Sequence, residues 1–297
     1  MSTLIGVDCG GTHIVGQRFD TTHAMVQSVT GGPGNVVLDR KLAITNLTKV
    51  IDTLTQNETA SFILIGIAGI ETAGGGDTIQ DTFSTRYHCP VVVISDAKLA
   101  LLNGLQGQDG AMVIAGTGSI IYGRQKGNFL RVGGWGPQLG DEGSAFDIAK
   151  SGLKAILTAT DCGQKHSLQP ALFKALNAET ISEAVANFYA QDRKTNAKLA
   201  LVIAQAADAG DLSAQHIITT CAQHLAAQAL TIQGRFHQPA PHLIALSGSV
   251  LQHNERFHAA FCQEIHTADA ELKCLEIPTN NAHGVIYWPL WQQEVTK

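Results

Sequence analysis

Short apolar runs that stop on a glycine or an aspartate recur along the first third of the chain. Residues 4–9, LIGVDC, are nearly continuous in apolar character, as a strand buried on both faces should be. Residues 12–19 and 24–29 follow as two further strands after tight turns. A glycine-rich loop at 31–35 then leads into a helix reaching about Gln56, with Asn35 expected at its N-cap. Residues 62–69 form another buried run, 71–76 a turn, and the stretch to about Tyr87 a helix. Residues 90–95 give the next strand, Asp96 lies where it ends, and a helix follows over 97–105. The first part therefore reads β-β-β-α-β-α-β-α.

The pattern then restarts. Strands at 110–114 and 120–124 flank Gly116-Thr117-Gly118-Ser119, and a turn at 125–128 leads to a third strand at 129–132. A helix is expected from about 142 to 157. The chain from 151 to 234 is mostly helical and rich in Ala and Gln, with breaks near Gly163, Pro170, Asn177 and Gly210 and with Asp211 as a helix cap. A strand at 242–246 meets Ser247-Gly248-Ser249-Val250, which opens a helix; 272–277 is the last strand, and a final helix runs to about Gln293. The recurring three-strand opening predicts a duplicated α/β architecture: a domain over 1–105, a second over 106–281 with a helical insert, and a terminal helix at 282–297 returning to the first.

Candidate chemistry gathers at the turns. Asp8-Cys9-Gly10-Gly11-Thr12 and Gly116-Thr117-Gly118-Ser119 are both strand, glycine-and-hydroxyl turn, strand. Bare backbone N–H groups beside a hydroxyl suit phosphate oxygens. Either turn alone could be an ordinary hairpin; the pair suggests a nucleotide held by both halves. Asp8 is a turn-former or a carboxylate that holds hydrated Mg²⁺. Asp96 is a cap or a carboxylate sharing a cleft with Asp8, since ligands of open α/β sheets bind at the carboxyl ends of strands. Asp141 is an N-cap or a charged acceptor of ligand hydrogen bonds, and Trp135 is core or a flat apolar wall.

Composition narrows the classes. The chain has 297 residues, 44% hydrophobic and 15% charged, with a net charge of −5. That balance offers no basic footprint for nucleic acid or an anionic membrane. No apolar run approaches the ~20 residues that span a bilayer, and the opening residues lack a signal-peptide pattern, so a soluble cytoplasmic protein is expected. The six cysteines are widely spaced, without a C-x-x-C pair, and read as buried thiols rather than disulfides or zinc ligands. The twelve histidines form neither H-x-x-x-H nor H-E-x-x-H and are taken as surface or packing residues.

Together with the two hairpins, Gly133-Gly134-Trp135-Gly136 and Gly140-Asp141-Glu142-Gly143-Ser144 resemble the N-acetylglucosamine kinase and BadF-type ATPase family, part of the sugar-kinase, heat-shock-ATPase and actin superfamily. The resemblance covers nearly the whole chain. It implies two ribonuclease-H-like domains in tandem, an actin-like ATPase fold with a cleft between them, using ATP and Mg²⁺ on an amino sugar, N-acetylglucosamine or glucosamine at its 6-hydroxyl. It implies Asp96 as general base and sugar ligand, and Asp8 at the metal. Gly10, Gly11, Thr12, Gly116, Thr117 and Gly118 would lie on the phosphates and Gly248 on the adenosine. Asn35, Gly134, Trp135, Gly136 and Asp141 would lie on the sugar. Pro137 departs from some relatives and leaves the local backbone contact open. N-acetylmuramate or another hexosamine is the alternative substrate. The family's iron–sulfur activator branch is disfavoured, because Asp-Glu-Gly-Ser stands where that branch carries cysteine. A non-catalytic regulator on the same fold is the third reading, and a homodimer is the default assembly.

Overall fold

The computed structural model describes residues 3–56 and 58–295. The chain forms two compact units. The first runs to Asp109 and takes in residues 126–128 and the chain from Ile277; the second comprises Gly110–Gln125 and Phe129–Glu276.

In the first unit, β1 (Leu4–Cys9), β2 (Ile14–Phe19) and β3 (Met25–Gly31) precede α1 (Arg40–Thr55). Then come β4 (Phe62–Ile67), α2 (Ile70–Ala73), α3 (Gly76–Tyr87), β5 (Val91–Ser95) and α4 (Asp96–Gly104). The sheet order is β3-β2-β1-β4-β5. β1 is antiparallel to β2 and parallel to β4, which is parallel to β5. Ile5, Val7, Ile63 and Ile65 are fully buried, as expected of central strands covered on both faces. α1 presents Leu47, Val50, Ile51 and Leu54 to that core at helical spacing.

The second unit repeats the frame. β6 (Gly110–Ala115), β7 (Ser119–Gln125) and β8 (Asn128–Gly133) open it. The helices α5 (Ala145–Asp161), α6 (Gln169–Leu176), α7 (Ile181–Ala190), α8 (Arg193–Ala197), α9 (Leu199–Asp208) and α10 (Leu212–Gln233) follow, then β9 (Leu243–Ser247), α11 (Ser249–His253), α12 (Glu255–Ala268) and β10 (Lys273–Glu276). The order β8-β7-β6-β9-β10 and the directions of the β6–β7, β6–β9 and β9–β10 pairs match those of the first sheet. Each unit is thus a ribonuclease-H-like α/β domain.

Several boundaries differ from the sequence reading, each for a local reason. The Asn35 side chain accepts from the N–H groups of Val37 and Leu38, at 2.9 and 3.3 Å, and closes a turn of its own. Asp39 therefore caps α1, accepting from Leu42 N. Ser144, not Asp141, caps α5. Pro170 sits in the first turn of α6, where its missing N–H costs nothing, so it opens the helix instead of breaking it. The expected turn after β4 contains α2, bounded by Gly69 and Gly74 in left-handed conformations. Asn254 starts α12 as a helix separate from α11, a division the sequence reading did not make. All six cysteines are free; Cys9, Cys89 and Cys221 are buried, but Cys162 is exposed and Cys262 and Cys274 are half-buried. Among the described residues, no helix is long and apolar enough to cross a membrane.

The final segment is a 3₁₀ helix, Asn281–Tyr287, continuing as α13 (Trp288–Val295). It belongs to the first unit and packs on β1 and α4. Asn103 on α4 donates to Thr279 Oγ1 at 3.1 Å. A Cβ on Gly6 would collide with the Ala282 carbonyl, so the bare backbone of β1 is what admits this segment. Replacing Gly6 by Ala is expected to destabilise the first unit by roughly 3 kcal/mol, because backbone cannot step aside as a side chain can. Chemical denaturation checks this; an unchanged midpoint would mean that the segment is not seated there.

Candidate functional site

The parallel strands of the first unit set the geometry. Cys9 pairs with Ile67 and Ile67 with Ser95, so the carboxyl ends of β1, β4 and β5 finish on one rung. Asp8 lies one residue before that rung and Asp96 one after it. They share one edge of the sheet, two strand spacings or about 10 Å apart along the rung. The loops there are stitched by backbone hydrogen bonds: Gly10 N to His13 O at 3.1 Å, Gly34 N to Gly10 O at 2.9 Å, Ala68 N to Cys9 O at 2.9 Å and Val36 N to Ala68 O at 3.2 Å. This network brings Asn35 to the same edge as Gly10, Gly11 and Thr12. A Cβ on Gly11 would meet nothing within 4 Å, so the turn faces open space. Thr12 Oγ1 lies 2.9 Å from His13 Nδ1 on the exposed side of the turn.

Both carboxylates resist ionisation. Burial is the main cause at Asp8, pushing its pKa from 3.8 up to about 6; the nearby negative charge of Asp96 adds to this, and a hydrogen bond donated by Asn281 Nδ2 at 3.1 Å opposes it. Burial also raises Asp96, against the pull of the Ala97 N–H, which it accepts at 2.9 Å. Asp96 begins α4, where the helix dipole favours an anion. Glu71 stands beside this pair with its charge held by Lys98 Nζ at 3.0 Å and the Ser95 hydroxyl at 3.1 Å. Those partners, Lys98 foremost, pull its pKa below the ordinary value. The sequence reading passed over Glu71, whose partners lie more than twenty residues away.

In the second unit the hairpin Gly116–Ser119 is closed by Gly116 N donating to Gly118 O at 2.8 Å. It is tied to the start of α5 by Ala145 N to Gly116 O at 2.8 Å and by the Ser119 hydroxyl to Glu142 O at 2.7 Å. Gly248, with φ of 94°, lies against the Ala115 backbone, where no side chain fits. That contact sets Ser249 beside the hairpin. A cavity of about 300 Å³ opens there, lined by Thr117, Ile148, Ser249 and Asn254 and, from the helical insert, by Lys198 and Leu201. The insert carried no recognisable motif, yet the fold makes it a wall of this cavity and brings Lys194 to it as well.

The Gly133–Gly136 loop runs through left-handed conformations at Gly133, Gly134 and Gly136. Arg131 fixes it, donating to Gly133 O at 3.2 Å and Gly134 O at 2.7 Å, with its guanidinium 4.5 Å from the Trp135 ring centre. Trp135 is 66% exposed, which removes the core alternative. Asp141 is buried and left-handed, accepts from Gly136 N at 3.3 Å, and is ion-paired with Arg193 of the insert. Arg193 was not foreseen from sequence, because its partners Thr117 and Asp141 are distant along the chain.

The Asp8 shift carries a stability consequence. A carboxyl whose pKa is higher folded than unfolded costs stability once pH exceeds the folded value, here about 6, and the cost fades as pH falls towards 4. A gap of about two pKa units corresponds to roughly 3 kcal/mol. Asp8→Asn keeps the shape and can still accept from Asn281. It should therefore raise the melting temperature of the first unit by several degrees at pH 8 and by almost nothing at pH 4.5. A thermal melt at both values decides; a variant less stable at pH 8 contradicts the assignment.

The profile of the BadF/BadG/BcrA/BcrD ATPase family matches residues 5–286. The chain is 29% identical, over 96% of its length and 97% of the relative's, to an N-acetylmuramic acid/N-acetylglucosamine kinase of Clostridium acetobutylicum. It is 29% identical, over 75% of its length and 76% of the relative's, to an N-acetyl-D-glucosamine kinase of Dictyostelium discoideum. Among solved structures, a candidate N-acetylglucosamine kinase of Chromobacterium violaceum superposes with a TM-score of 0.70 at 21% identity, covering 98% of this chain and 99% of that one. A ROK family glucokinase of Streptomyces griseus, solved with glucose and AMPPNP, superposes with a TM-score of 0.58 at 14% identity over the whole of both chains. With a profile that spans nearly the full sequence and a duplicated sheet of matching order, the chain belongs to the BadF/BadG/BcrA/BcrD ATPase family.

Proposed function

We propose that this protein is an ATP-dependent amino-sugar kinase that phosphorylates N-acetylglucosamine or glucosamine on the 6-hydroxyl. The observation that carries the reading is Asp96, a partly buried carboxylate with a raised pKa, at the sheet edge that also bears Asp8 and the Gly10–Thr12 turn. Raised proton affinity is what a general base near neutral pH needs. In this reading Asp96 takes the proton of the attacking hydroxyl while Asn35, Gly134, Trp135, Gly136 and Asp141 orient the sugar. The backbone N–H groups of Gly10, Gly11, Gly116 and Gly118, with the Thr12 and Thr117 hydroxyls, hold the phosphates in line. The 300 Å³ cavity beside Gly248 and Ser249 takes the adenosine against Ile148 and Leu201.

A magnesium ion fits the donor chemistry. Asp8 supplies a hard carboxylate oxygen at the end of β1, beside the Gly10–Thr12 turn. Asp8 would hold the ion, which would offset phosphate charge. A cytoplasmic homodimer is the companion proposal; it rests on composition and on the prevalence of two-fold assemblies, and size-exclusion chromatography tests the dimer.

N-acetylmuramate is a second substrate reading. Its support is the relative that phosphorylates both sugars by name, together with the exposure of Trp135 and Leu139 beside Asp141. A coupled ADP-release assay over glucosamine, N-acetylglucosamine, N-acetylmuramate, N-acetylmannosamine and glucose separates these. On the best substrate, Asp96→Asn should lower kcat by a factor of about 10² to 10⁴ and leave sugar affinity within a few-fold. A near-normal rate in that variant would remove Asp96 as the base.

A further inference from the structure

The Arg193 guanidinium lies on the face of the Gly116–Ser119 hairpin. It donates to the Thr117 carbonyl at 3.3 Å, pairs with the Asp141 carboxylate, and occupies the space that a Cβ on Gly118 would enter. One nitrogen, Nη2, serves both acceptors, and Nε is buried without a partner. A permanent brace would be expected to use the guanidinium fork, with two parallel bonds to the carboxylate. Here the fork is not spent on Asp141, and a buried donor left unmatched carries a cost that an incoming acceptor would relieve. Arg193 is also one of three cations that the insert brings to this end of the hairpin, with Lys194 and Lys198 on the adjoining cavity. A turn of bare N–H groups with a guanidinium lying on it is suited to phosphate oxygens.

We propose that Arg193 is a phosphate-contacting residue that exchanges Asp141 for the nucleotide's phosphates and, in doing so, releases Asp141 to accept sugar hydroxyls. The inference rests on the kinase reading above. Phosphates offer more negative charge and more acceptor oxygens than one carboxylate, so the exchange is favourable once nucleotide arrives. Its consequence is a coupling between sites. Nucleotide tightens sugar binding, and by linkage sugar tightens nucleotide binding by the same factor.

The test uses the full chain, with calorimetric titration of N-acetylglucosamine alone and with saturating Mg²⁺–AMPPNP, and with the reverse titration. The wild type should bind the sugar at least about fivefold tighter when AMPPNP is present, a coupling within the usual range. Arg193→Gln should raise the ATP KM about tenfold or more and, with Asp141 already free, bind the sugar alone about as tightly as the wild type does with AMPPNP. In that variant AMPPNP should no longer change the sugar affinity. Arg193→Lys should recover part of the nucleotide affinity, since the charge remains, but little of the coupling; it also serves if the Gln variant melts early. A merely structural brace predicts a lower melting temperature and weaker sugar binding with ATP KM and coupling unchanged, and that result overturns the proposal. Failure of the kinase reading is distinguishable: the wild type would release no ADP with any amino sugar, whereas failure of this inference leaves an active wild type and a Gln variant with normal ATP KM and intact coupling.

Discussion

The register of three parallel strands is the constraint on which the rest depends. Because β1, β4 and β5 end together on the Cys9–Ile67–Ser95 rung, two aspartates 88 positions apart in the sequence share one partly dry edge. Burial there disfavours the ionised form of both, and the charge of Asp96 adds to this at Asp8 as that of Glu71 does at Asp96. The chain tolerates this through a few fixed donors. Asn281 reaches Asp8 from the returning C-terminal segment, the Ala97 N–H meets Asp96, and Lys98 balances Glu71. The bare Cα of Gly6 is part of the same arrangement, since without it the segment carrying Asn281 would not seat against β1. Holding these carboxylates away from water costs stability at this edge, a cost the fixed donors only partly offset.

Much of the frame was legible in the sequence because the signals were local. Continuous apolar runs gave the central strands to within a few residues, and the recurrence of strand, glycine turn, strand gave the duplication before any pairing was known. What failed were choices between neighbouring polar residues. Asn35 and Asp39 are both good caps, and only the turn that Asn35 closes on itself decides that the helix waits for Asp39. Asp141 and Ser144 posed the same choice, settled by the left-handed backbone at Asp141 and its ion pair. The insert was read correctly as helical and left without a role, since Arg193, Lys194 and Lys198 look like ordinary surface cations until the fold carries them to the hairpin. Long-range partners have no local signature, and this one fact accounts for Glu71, Asn281 and Arg193 alike.

The duplication is faithful in frame and unequal in charge. At the edge where β1 offers Asp8, β6 ends in Val113, Ile114 and Ala115. β9, the counterpart of β4, continues as Gly248 and Ser249, and β10, the counterpart of β5, ends at Glu276, which lies against His258 rather than opening a helix as Asp96 does. The second unit instead turns small residues, backbone N–H groups and the cations of its insert towards the corresponding place. The kinase reading proposed above, with its polyanionic nucleotide, gives this inequality a physical rationale. Carboxylates on both copies of the hairpin would repel phosphates from both, whereas one acidic copy can serve a base and a cation site while the neutral or basic copy holds the anion. In that proposed reading, a carboxylate gained beside Gly116 would weaken phosphate binding, and a cation gained beside Asp96 would lower its proton affinity and with it the basicity that the reading requires.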